Sequence, residues 1–134
     1  GDDSGTHRKE MAIWKAADIE PKGEWYVVTK TFMTATLMKA DAAKGYFMLD
    51  SSTWAAEKGK APNLKILFKG DKVLVNTYHT LRQPDGATPG AGLAAKFIDF
   101  LASPEGQKVI AGYGAKEFGE SLYNDAAYAK KYDD

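Results

Sequence analysis

Cysteine is absent from the 134 residues. That excludes disulfides, thiolate metal sites and a cysteine nucleophile, and it fits cytoplasm and periplasm alike. Histidine occurs only at positions 7 and 79, and the pair has no metal-ligand spacing such as His-x-x-x-His. A surplus of charge is also missing: eighteen basic residues offset eighteen acidic ones. No global field therefore draws the chain to nucleic acid or to an anionic membrane, and any anion preference must be local. No run approaches the roughly 20 apolar residues of a membrane span, and no signal peptide is recognisable. A Gly-x-Ser-x-Gly elbow, a Walker loop and a dinucleotide glycine signature are all lacking. The first residue is Gly1 rather than methionine, inside what reads as a working motif, so a fragment or processed product is expected.

What is present is the composition of a globular protein, 44% hydrophobic and 27% charged, with room for one ordinary domain. Met11, Trp14 and Ala17 recur at three-residue spacing and predict a helix from Thr6 to about Ala17, capped by Asp3, Ser4 or Thr6. Trp25 to Thr29, Tyr46 to Leu49, Leu64 to Phe68 and Val73 to Leu81 have strand composition. Between them, Met33 to Lys44 predicts a second helix ended by Gly45. Asp50 to Thr53 offers caps for a third, running through Trp54. The alternation predicts an α/β fold with a sheet flanked by helices. Gln83 to Gly92 holds two prolines and three glycines and reads as a hinge loop. Helices follow, the second opening on Ser103-Pro104-Glu105: a serine cap, proline at the first helical position, then an acid near the positive helix end.

The segment that can carry chemistry is Gly1-Asp2-Asp3-Ser4-Gly5-Thr6-His7. A helix start leaves several backbone N–H groups without partners at the positive end of the macrodipole. Gly5 removes the Cβ that would keep an anion away from them, and the Ser4 and Thr6 hydroxyls add donors. This is the general arrangement for a phosphate- or sulfate-like ligand. An ordinary capped helix start has the same spacing and is commoner, so the residues alone leave both readings open. His7 is expected on the solvent-facing rim of that turn, His79 as a structural residue, and Asp50 as an N-cap in preference to a catalytic acid. No base and nucleophile pair can be assembled, so an enzyme is not expected.

The stretch from Gly1 to Glu10, with Trp14 after it, resembles the tungstate-binding proteins of ABC importers. Trp25-Tyr26, Met33 with Thr36-Leu37, Leu49-Asp50, Thr53-Trp54, Gly70-Asp71, Leu74, Asn76 and Tyr78 recur in the order that family shows. Leu101-Ala102-Ser103-Pro104-Glu105-Gly106-Gln107, ending near Tyr113-Gly114, is similar to the C-terminal helix pair of type II periplasmic binding proteins.

The resemblance implies one lobe of such a receptor, a mixed sheet flanked by helices, plus C-terminal helices. Residues 1–82 would be the second-lobe α/β domain. Residues 83–134 would be the hinge loop and the helices that normally pack on the first lobe. It implies capture of tungstate, molybdate or a related tetrahedral oxyanion outside the cytoplasm, with no cofactor, metal or nucleic acid. The partners would be a permease subunit and the missing first lobe. Asp3, Ser4, Gly5 and Thr6 would hold the anion, with Met33, Thr34 and Asp50 near it, and the family's arginine would precede Gly1. Where the family usually has glycine before Met33, this chain has Phe32, which crowds backbone approach at Met33 and Thr34. Ser51 stands where relatives often have arginine. A phosphate or sulfate receptor and the effector lobe of a transcriptional regulator are the competing expectations.

Overall fold

Residues 4–132 are described by a computed structural model, and several of its helices start at side-chain caps. The first helix, α1 (Gly5–Ala16), starts after Ser4, whose extended backbone and hydroxyl make it the N-cap; Asp3 lies outside the described residues. Lys15 in the last turn complements the negative end of the dipole. Then α2 (Met33–Ala43) ends with Lys44 in the left-handed conformation, at φ 50°. Gly45 was the expected residue for that geometry. It follows instead, donating its N–H to the Ala40 carbonyl at 2.9 Å. Next, α3 (Ser51–Glu57) is capped by Asp50 and runs into a single 3-10 turn at Lys58–Lys60.

The expected mixed sheet is absent: among the described residues there is no strand. The four segments with strand composition run through without ladder hydrogen bonds, and Lys72–Leu74 forms a 3-10 turn. The physical reason lies in what a strand needs. Its hydrogen bonds all go to a neighbour, so β-branched and aromatic composition supplies only a tendency to pair. Val27, Val28, Ile66, Leu67 and Phe68 remain between 47% and 68% exposed, and Tyr46, expected in a buried strand, is 92% exposed. The α/β, mixed-sheet expectation is therefore replaced by helices joined by irregular segments.

Two compact units divide the chain between Asn76 and Thr77. In the first, α2 packs on α3, burying Leu37 completely together with Ala55 and Ala61. Asp41 is buried in the same place, and its carboxylate is satisfied. It accepts from the Asn63 backbone N–H at 2.8 Å and from Asn63 Nδ2 at 3.0 Å. A hydrogen-bonded carboxylate thus ties the segment after α3 back to α2.

The second unit is built on α4 (Ala91–Ala102) and α5 (Pro104–Gly112), with short helices α6 (Ala115–Phe118) and α7 (Ala126–Ala129) after them. Ser103 makes the α4–α5 corner, donating its hydroxyl to the Phe100 carbonyl at 2.7 Å and accepting from Gly106 N–H at 3.2 Å. Gln107 reaches both ways, donating to the Leu101 carbonyl at 2.7 Å and accepting from Ala126 N–H at 2.6 Å. Gly106 is required by close approach. A Cβ there would stand 2.0 Å from the Phe100 carbonyl oxygen and 2.9 Å from Leu101 Cα, both backbone atoms that cannot swing aside. Gly106→Ala should therefore destabilise this unit by about 1–3 kcal/mol, the usual cost of overpacking, read as a lower midpoint in chemical denaturation.

Candidate functional site

The start of α1 has its donors only partly used. Ser4 Oγ accepts from His7 N–H at 3.2 Å, and the Ser4 carbonyl accepts from Arg8 N–H at 3.0 Å. Nothing among the described residues accepts from the Gly5 or Thr6 N–H, and no acidic residue stands in the first turn. Two uncommitted donors at the positive end of a three-turn helix, with Gly5 exposed, form a surface that favours a negative group. The Thr6 hydroxyl lies beside them and has no hydrogen-bond partner among the described residues.

One turn further, Glu10 organises the side of the helix. Its Oε2 meets His7 Nδ1 at 3.2 Å, while Oε1 accepts from Trp14 Nε1 at 3.1 Å and from the Tyr26 hydroxyl at 3.0 Å. Trp25 packs edge-on between Trp14 and Tyr26, with both ring centroids 5.7 Å away. The Tyr26 hydroxyl is held above its ordinary pKa. Partial burial contributes most, followed by the hydrogen bond to Glu10 and the charge of its carboxylate. This network fixes α1 against residues 25–26 and orients the His7 ring. The described side-chain partner of His7 is Glu10, one helical turn away.

The other expected site residues are placed differently. Met33 and Thr34 open α2 behind Phe32, an N-cap without a side-chain hydrogen bond whose ring is 83% exposed. No hydrogen bond joins Met33 or Thr34 to Gly5 or Thr6. Asp50 spends both oxygens on α3: Oδ1 accepts from Thr53 N–H at 2.7 Å and the Ser52 hydroxyl at 2.5 Å, and Oδ2 from the Thr53 hydroxyl at 2.9 Å. In the sequence Asn76 stands out only as part of a family-like series, yet its side-chain amide lies against Gly5. A contact between positions 71 residues apart leaves no local pattern. Among the described residues, no group of three or more His, Asp or Glu side chains could hold a metal ion. None of their helices is long and apolar enough to cross a membrane.

Residues 1–105 match the model of the PBP superfamily domain. The chain belongs to this superfamily. It is 38% identical over 130 residues to a Haloferax volcanii protein named as an ABC transporter anion-binding protein, covering 92% of this chain and 37% of that one. It is 33% identical over 129 residues to the tungstate-binding protein TupA of Peptoclostridium acidaminophilum, covering 95% of this chain and 45% of that protein. The TupA of Campylobacter jejuni is 33% identical over 120 residues, 84% of this chain and 44% of its own length. The chain therefore spans less than half the length of these relatives. No solved structure matches it.

The Asp50 cap gives this region a pH dependence. Burial raises the carboxyl pKa, but the donors on Ser52 and Thr53 outweigh it and hold Asp50 below its ordinary value of 3.8. A depressed folded-state pKa stabilises the fold above the ordinary value, and that contribution fades as pH falls through the depressed one. Thermal melts from pH 6 down to pH 2, roughly the range of folded and unfolded carboxylates, should show a loss of stability at the acid end. The loss should be smaller in Asp50→Asn.

Proposed function

We propose that this chain is part of an extracytoplasmic solute-binding component of an ABC importer, and that it captures tungstate, molybdate or a related tetrahedral oxyanion without chemical turnover. The observation that carries the reading is the start of α1, where the Gly5 and Thr6 N–H groups lack acceptors among the described residues, at an exposed glycine. The names of the relatives, two for tungstate and one for an anion, give that surface a ligand class.

The mechanism follows from electrostatics. A dianion leaving water loses a large hydration energy, which only donors already pointing at it can replace. Backbone N–H groups at a helix start are fixed by the helix, so little ordering entropy is spent on them. Ser4 and Thr6 add hydroxyls. Asp50, with both oxygens engaged in α3, contributes by holding that helix start rather than by touching the anion. The remaining length of the relatives would furnish further donors and the surface that meets the permease. This chain alone then binds weakly.

The identity of the anion turns on protons. Tungstate, molybdate and sulfate near neutral pH only accept hydrogen bonds, whereas hydrogen phosphate can also donate one. Among the described residues the first turn of α1 has no carboxylate to take such a proton, which supports the fully ionised anions. Calorimetric titration with tungstate, molybdate, sulfate and phosphate in competition tests the reading. Tungstate or molybdate should bind in preference to phosphate, with affinity weaker than submicromolar. Preference for phosphate would make this a phosphate receptor instead. Thr6→Ala should weaken binding by roughly 1–3 kcal/mol, the scale of a hydrogen bond to a charged group, with folding intact.

A further inference from the structure

Gly5 and Asn76 are brought together by the fold of the first unit. A Cβ built on Gly5 would lie 3.4 Å from Asn76 Nδ2 and 3.5 Å from Oδ1, so the side-chain amide stands beside the first residue of α1. The two uncommitted N–H groups are on that same residue and the next. Asn63 bonds to Asp41, and Gln107 to Leu101 and Ala126, whereas the Gln83, Asn124 and Asn76 amides make no side-chain hydrogen bond among the described residues; of these three, Asn76 is the one that stands against Gly5. Asn76 makes no hydrogen bond among the described residues, and it is exposed, so water solvates its amide in the free protein. An uncommitted donor costs nothing there and is immediately usable by a ligand.

We propose that Asn76 is a specificity-determining ligand residue, whose Nδ2–H donates to an oxygen of the oxyanion seated on the Gly5 and Thr6 N–H groups. The proposal rests on the oxyanion reading of α1 and adds to it a side chain from the far end of the first unit. A neutral amide suits a ligand that must stay fully ionised, because it supplies a donor without a countercharge and without a carboxylate to repel the dianion. Since neither amide atom is committed, the group can rotate to present nitrogen to a pure acceptor. An aspartate in its place could only accept. It would repel tungstate, molybdate and sulfate, but would receive the proton of hydrogen phosphate. Position 76 thereby separates anions by protonation state rather than by size.

The test is an NMR titration of the 15N-labelled chain with sodium tungstate and, separately, with sodium phosphate. Tungstate should shift the Gly5 and Thr6 backbone amides together with the Asn76 side-chain NH2 pair. Asn76→Ala should lower tungstate affinity roughly ten- to a hundredfold, the usual consequence of losing one hydrogen bond to a charged partner. Asn76→Leu, which keeps a side chain of similar shape against Gly5, should give the same loss with unchanged melting temperature. Asn76→Asp should weaken tungstate more than phosphate, narrowing or inverting the preference. If Gly5 and Thr6 respond to tungstate while both neutral variants bind like the parent, Asn76 is a packing residue and this proposal fails with the oxyanion reading intact. If neither Gly5 nor Thr6 responds to either anion, the oxyanion reading itself fails and carries this one with it.

Discussion

The proposed site depends on how the first turn of α1 satisfies its donors. A helix cannot pair its own first N–H groups, and side-chain caps usually make up part of the deficit. Here Ser4 takes the N–H of His7, leaving those of Gly5 and Thr6 without acceptors among the described residues. The deficit is tolerable because Gly5 is exposed and water can reach it. It also explains why a small residue is useful at the position: a larger one would cover the two donors that a ligand needs.

Holding that turn in place is a separate task, performed one turn away. Glu10 collects His7, Trp14 and Tyr26 around one carboxylate, binding α1 to the aromatic segment beside it. Further along, Asp41 does the same between α2 and Asn63. Both are carboxylates provided with fixed donors, which is how a unit with few fully buried apolar side chains gains definition. Asp50 follows the same logic at a helix cap. Three acids in the first unit thus serve the scaffold, consistent with an anion-binding surface that keeps negative charge occupied elsewhere.

The membership in the PBP superfamily and the relatives' names agree with the motif order read along the chain. The agreement is not with the architecture expected from it. Segments such as Leu64 to Phe68 have the composition of strands, but within the described residues they have no neighbour to pair with. Composition is a property of the segment, whereas a ladder is a property of two segments, and the chain covers under half the length of its relatives.

The sequence by itself determined the main helices and the caps at Asp50 and Ser103, because those are local: each bonds to a backbone N–H three residues on. At α1 it offered Asp3, Ser4 and Thr6 alike, and the structure puts Ser4 there. It also marked the α1 start as a place for an anion, without separating that role from a simple cap. Only the tertiary structure decided which side chains surround that start. It laid the amide of Asn76 against Gly5 and left Met33 and Thr34 at a different helix start with no hydrogen bond to it. It also removed the sheet that local composition had promised. The reason is the same in each case: spacing within a few residues is written in the chain, while proximity across dozens of residues is settled by packing and by the available partners.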